Sequence, residues 1–116
     1  MAESVLITGG AGYLGAILTP YLLHHSYKVT VLDNLMHRQA SLLECCASSN
    51  FCFLRGDICD TGLVEKLIPR FDIIIPLAAI VGAPACDQNP ELARSVNYDA
   101  HANIVKNVSS QQVVLF

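Results

Sequence analysis

Gly9, Gly12 and Gly15 recur at three-residue intervals inside Val-Leu-Ile-Thr-Gly-Gly-Ala-Gly-Tyr-Leu-Gly, the stretch from Val5 to Gly15. Residues without side chains do no acid–base chemistry; what they offer is bare backbone. A short apolar β-type run (Val5, Leu6, Ile7) leads into the glycines, and a helical pattern leads out of them. Such a turn aims the free N–H groups of a helix N-terminus at whatever lies in front of it, which suits a phosphate or pyrophosphate. Gly9 permits the tight turn, Gly12 lets the backbone approach the pyrophosphate, and Gly15 lets the helix pack closely on the sheet. The spacing is Gly-x-x-Gly-x-x-Gly rather than Gly-x-Gly-x-x-Gly. No Gly-Lys-Ser/Thr is present, which disfavours a P-loop for ATP or GTP.

Asp33 stands 18 residues beyond Gly15, at the end of the next apolar run. An acid about 20 residues beyond the loop is placed to hydrogen-bond an adenosine ribose. Its charge repels a 2′-phosphate, so NAD is expected over NADP; Arg38 is the residue that could reach a 2′-phosphate instead. The plainer alternative is an aspartate that caps a turn at a strand end.

The other reactive residue types are scattered. His24 and His25 end the first helix, where a cation complements the dipole. His37 falls in a loop and His101 on a helix, and none shares a metal-ligand spacing with a carboxylate. The five cysteines, Cys45, Cys46, Cys52, Cys59 and Cys86, are odd in number and form no Cys-x-x-Cys. They read as reduced small hydrophobes in a cytoplasmic protein, with a thiol switch at Cys45–Cys46 as the sharper alternative. Cys86 and Asp87 lie in the longest loop, as substrate contacts or as ordinary loop residues.

The elements that must position these residues alternate. Strands are expected at Ser4–Thr8, Lys28–Asp33, Phe51–Arg55, Phe71–Leu77 and Val113–Phe116. Helices are expected at Tyr13–His25, more weakly at Arg38–Ala47, from Asp60 to about Ile68, and from Asn89 through Val108. The first helix carries an apolar stripe of Leu14, Ile17, Leu18, Tyr21 and Leu22, with Pro20 expected to remove one hydrogen bond and bend it. Asn89-Pro90-Glu91 is a helix start, and Leu92, Val96, Ala100, Ile104 and Val108 then recur every fourth residue. Right-handed crossovers place the strands in one doubly wound parallel α/β (Rossmann) sheet, in the order 3-2-1-4-5.

Composition agrees with this class. At 116 residues the chain is one domain at most. It is 53% apolar and 15% charged, as expected of strands buried on both faces. No apolar run approaches the roughly 18 residues of a membrane span, and the start lacks the basic region of a signal peptide. A net charge of -3 argues against nucleic acid as a partner.

Four motifs recur in order: Thr8-Gly9-Gly10-Ala11-Gly12-Tyr13-Leu14-Gly15, Leu32-Asp33-Asn34-Leu35, Gly56-Asp57-Ile58 and Leu77-Ala78-Ala79. With Pro90-Glu91 and Val96-Asn97, they make essentially the whole chain resemble the extended short-chain dehydrogenase/reductases. Within these, the chain is similar to the NAD-dependent epimerase/dehydratase family that includes UDP-glucose 4-epimerase. The resemblance implies that Gly9, Gly12, Tyr13, Leu14 and Gly15 hold the pyrophosphate of NAD. It implies that Asp33 and Asn34 meet the adenosine ribose, that Asp57 and Ile58 meet the adenine, and that Leu77, Ala78 and Ala79 lie towards the nicotinamide. Asn97 is either a polar link between helix and cofactor half or an exposed helix residue.

Two departures accompany the resemblance. Pro76 stands where many members have a histidine or another residue with a backbone N–H. The family's catalytic Ser/Thr follows the fifth strand, and its Tyr-x-x-x-Lys pair lies on the next helix. None of the four tyrosines here has lysine four residues on. The expectation is therefore a truncated, NAD-binding part of a nucleotide-sugar epimerase or dehydratase, with no catalytic residue of its own and no activity alone. The alternative is a non-catalytic dinucleotide-binding or redox-sensing module that needs a partner. A third reading is an inactive remnant whose exposed sheet edge drives association. A nucleotide-sugar substrate and a homodimer are expectations carried by the resemblance alone.

Overall fold

The computed structural model describes residues 3–36 and 40–116. His37, Arg38 and the start of the helix expected over Arg38–Ala47 lie outside the described residues. Strands β1 (Ser4–Thr8), β2 (Lys28–Asp33), β3 (Phe51–Arg55), β4 (Ile73–Pro76) and β5 (Val113–Val114) form one sheet, parallel throughout, in the order 3-2-1-4-5. The β1–β4 boundary is where the winding reverses: β1 leads outward to β2 and β3, whereas β4 leads the other way to β5. In such sheets the crevice at the carboxyl ends of the strands flanking that reversal is the natural ligand site.

The sheet is covered on both faces, which is why its strands read as unbroken apolar runs. On one face Val5, Ile7, Val29, Val31 and Ile75 pack with Ala11, Leu42 and Cys45, beneath Leu18, Leu22 and Leu23 of helix α1 (Tyr13–His24). On the other, Leu6, Leu32 and Ile74 pack with Val64 and Leu67 of α2 (Thr61–Leu67), with Ile68, and with Val96, Ala100 and Ile104. Asp60 caps α2 by accepting the Leu63 N–H at 3.2 Å. Asn89 caps the later helix by accepting that of Leu92 at 3.1 Å.

The structure corrects four expectations. The described part of Arg38–Ala47 forms only a 3₁₀ turn, Leu43–Ala47, which seats Cys45 in the core. The loop after β4 contains a short helix, α3 (Ala83–Gln88). The apolar stripe of α1 is only half used. Gly15 and Thr19 form the buried contact and Leu18 and Leu22 flank it, while Leu14, Ile17 and Tyr21 are exposed. The helix lies so close to the sheet that small residues make the seam. The last helix is not uniform either. It comprises α4 (Pro90–Arg94), a π-helical turn over Ser95–Asp99 and α5 (Ala100–Asn107). A strict four-residue apolar repeat drifts off one face of a helix of 3.6 residues per turn. A wider π turn takes up the drift, so Val96, Ala100 and Ile104 all reach the core.

Pro76 is accommodated. The next residue, Leu77, donates its N–H to the Thr8 carbonyl at 2.8 Å. N–H groups alternate along a strand, so the Pro76 nitrogen faces β5. There the ladder ends, with Ile74 opposite Val114.

Ile74 and Ile104 are fully buried on the same face. Ile74→Ala is expected to cost about 3 kcal/mol in a urea melt, whereas Val105→Ala on the exposed side of α5 should stay within about 0.5 kcal/mol. Equal costs would mean that the two layers do not pack as described.

Candidate functional site

A cleft of about 360 Å³ opens at the carboxyl ends of β1 to β4. All twelve residues expected from sequence to meet a cofactor line it: Gly9, Gly12, Tyr13, Leu14 and Gly15 beyond β1, Asp33 and Asn34 at β2, Asp57 and Ile58 beyond β3, and Leu77, Ala78 and Ala79 beyond β4. Four separate chain segments converge because parallel strands all end on one side of the sheet.

The glycine turn has little freedom. Gly9 has φ +71°, and a Cβ there would stand 2.5 Å from the Ala78 backbone. Its N–H bonds the Leu32 carbonyl at 2.8 Å, tying the turn to β2. At Gly15 a Cβ would run into the backbone of Gly10. Gly12 differs, because its nearest neighbour would be the Gly9 carbonyl at 3.4 Å. A side chain at Gly12 would fit the protein but would enter the cleft. Gly12 is also the N-cap of α1 and offers no capping side chain, and the first turn holds no acid. The leading N–H groups of α1 are left for an anion.

Asp33 is buried and both of its oxygens are engaged: Oδ2 accepts the Ala11 N–H at 3.0 Å and Oδ1 accepts the Leu35 N–H at 2.8 Å. It therefore caps a turn, as the plainer reading held, and also lines the cleft. Leu35 has φ +55°, an unusual conformation for a branched residue, and the bond to Asp33 helps to hold it. Asn34 is exposed and accepts the Met36 N–H at 2.9 Å. Asp57 is exposed at the opposite wall, with Oδ1 accepting the Cys59 N–H at 2.8 Å, and the buried Ile58 lies beside it.

Asn97 is the polar link rather than a free surface residue. Its Oδ1 accepts the Ile80 N–H at 2.7 Å and its Nδ2 donates to the Ile80 carbonyl at 2.8 Å, so one side chain in the π turn holds a cleft-wall residue at both backbone groups. Sequence reasoning passed over Met36, Ile80, Val81 and Val96, which also line the cleft. Apolar residues in a loop were the only signal for Ile80 and Val81, and Val96 read simply as core. Cys86 donates its thiol to the same Ile80 carbonyl and is not among the lining residues.

Burial raises the pKa of Cys59 above the ordinary thiol value. The charge of Asp57, a hydrogen bond to it and the charge of Asp99 raise it further. Each cause disfavours the thiolate, the reactive form. With iodoacetamide at about pH 8, Cys59 is expected to alkylate more slowly than the exposed Cys46 and Cys52, and Asp57→Asn should speed it up. Peptide mapping that found Cys59 the fastest of the five would contradict this electrostatic account.

The sequence matches the NAD dependent epimerase/dehydratase family over residues 5–116. It is 38% identical over 84 residues to a dTDP-glucose 4,6-dehydratase of Actinoplanes, covering 65% of this chain and 26% of that one. It is 30% identical over 116 residues to UDP-glucose 4-epimerase 2 of rice (Oryza sativa subsp. japonica), covering 93% and 28%. Among solved structures, Pen from Bacillus thuringiensis superposes with a TM-score of 0.86 at 28% identity, covering 99% of this chain and 37% of that one. The Thermus thermophilus UDP-glucose 4-epimerase, solved in complex with NAD, gives 0.75 at 28% identity, covering 90% and 33%. The chain thus spans roughly a quarter to a third of the length of these curated relatives.

Proposed function

This chain belongs to the NAD-dependent epimerase/dehydratase family, and from that premise we propose that its cleft binds NAD as the cofactor half of a nucleotide-sugar epimerase or dehydratase. The observation that carries the reading is the convergence of the uncapped α1 N-terminus, Asp33 and the Asp57–Ile58 wall on one cleft at the winding reversal. The N–H groups beyond Gly12 meet the pyrophosphate, where Gly12 leaves room for close approach. Asp33 retains lone pairs for ribose hydroxyls beside its two backbone bonds, and Asn34 stands next to it. Asp57 and Ile58 flank the adenine, and Leu77, Ala78 and Ala79 border the nicotinamide. When bound, NAD supplies a reversible hydride acceptor; this chain's residues bind and orient it.

The sequence holds no Tyr-x-x-x-Lys. Reversible oxidation of a sugar hydroxyl needs a proton acceptor in place as the hydride leaves, so the 116 residues alone are proposed to bind cofactor without turning over a sugar nucleotide. Nucleotide-sugar binding and homodimer formation belong to the proposal for the whole enzyme.

Titration of the chain with NADH and NADPH, followed by the cofactor's own emission because the chain has no tryptophan, tests the assignment. Saturable NADH binding is expected, with NADPH at least about tenfold weaker because its 2′-phosphate would meet the Asp33 carboxylate. A folded chain that bound neither would refute the cofactor assignment, and equal affinities would remove Asp33 as the selector. Measurable epimerase or dehydrogenase turnover by the chain alone would contradict the inactivity.

A further inference from the structure

Ala11 has no functional side chain, yet the structure grips it at three points. Its methyl is buried in the α1-side core with Leu42 and Cys45. Its N–H donates to Asp33 Oδ2 at 3.0 Å. Its carbonyl accepts the Ser41 hydroxyl at 2.7 Å. One polar partner, Asp33, ends β2 and the other, Ser41, lies beyond it, so a single residue of the glycine turn is bonded to both. Leu42, buried immediately after Ser41, anchors the Ser41 side.

We infer that Ser41 is a positioning residue for dinucleotide binding, a latch that holds the glycine turn of the pyrophosphate half in place from the segment after β2. This rests on the NAD reading of the cleft. Ser41 is not among the residues that line the cleft; it acts through Ala11, which precedes Gly12 and the leading N–H groups of α1. Asp33 fixes the N–H side of Ala11, and the peptide that Ala11 forms with Gly12 is held at its N–H end, which donates to the Gly9 carbonyl at 3.2 Å. The Ser41 bond fixes the carbonyl side of that peptide, and therefore the direction of the Gly12 backbone towards a phosphate. The side chain needs only a hydroxyl donor, so Ser and Thr satisfy the geometry and Ala does not.

The test compares wild type, Ser41→Ala and Ser41→Thr in titrations with NADH, ADP and adenosine, alongside hydrogen exchange of the peptide spanning residues 9–15 without ligand. Ser41→Ala is expected to weaken NADH and ADP about fivefold, the scale of one hydrogen bond, to leave adenosine within about twofold, and to speed exchange in the glycine turn. Ser41→Thr should restore all three. Unchanged NADH affinity and exchange in Ser41→Ala, with wild type binding NADH, would overturn the latch and leave the NAD reading intact. An equal loss for all three ligands would reduce Ser41 to a structural role and also overturn it. Failure of folded wild type to bind NADH would defeat the NAD reading, and the latch with it.

Discussion

A side chain at Gly15 would collide with the backbone of Gly10, and that contact between two bare stretches of chain governs the geometry around it. It lets α1 lie on the sheet along Gly15 and Thr19. With the helix this close, its N-terminus comes down beside the carboxyl ends of β1 and β4 rather than above them. The turn that connects β1 to α1 must then be tight, so Gly9 adopts φ +71° against Ala78. The cleft owes its position to this approach, and its anion-attracting character follows from which groups the approach leaves uncapped.

Hydrogen bonds then make the turn stiff. The Gly9 N–H is fixed on Leu32, the Ala11 N–H on Asp33 and the Ala11 carbonyl on Ser41. All three anchors belong to β2 or the segment after it, so the second strand holds the loop of the first. Across the cleft the same device recurs with a side-chain amide: Asn97 takes both backbone groups of Ile80. A binding site made mostly of loop termini gains rigidity when each loop is bonded to an element it did not come from, because little then remains to be ordered when a ligand arrives.

The π turn at Ser95–Asp99 serves two ends at once. It keeps a four-residue apolar repeat on the core face, and it contains the Asn97 that reaches the wall of the cleft. π turns are uncommon and tend to occur at functional sites. Here the turn links packing on one face of the sheet to the shape of the site at its edge.

Much of this was legible in the sequence. Unbroken apolar runs separated by helical patterns determined a parallel α/β sheet and its order, since right-handed crossovers leave few alternatives. The Gly9–Gly15 spacing marked the turn and the Asp33 offset marked its partner, because backbone constraints of this kind leave a mark on residue type. The sequence could not decide which side of α1 would be buried. Periodicity favoured the larger residues Leu14, Ile17 and Tyr21, whereas the approach distance at Gly15 selected the smaller ones. Nor could it separate Asp33 as turn cap from Asp33 as cleft residue; the fold made it both. Ser41 carries no local signal and Asn97 only two open alternatives, since an amide or a hydroxyl is common on any surface. What they do depends on carbonyls 17 and 30 residues away in the chain, and only the tertiary structure brings those within hydrogen-bonding reach.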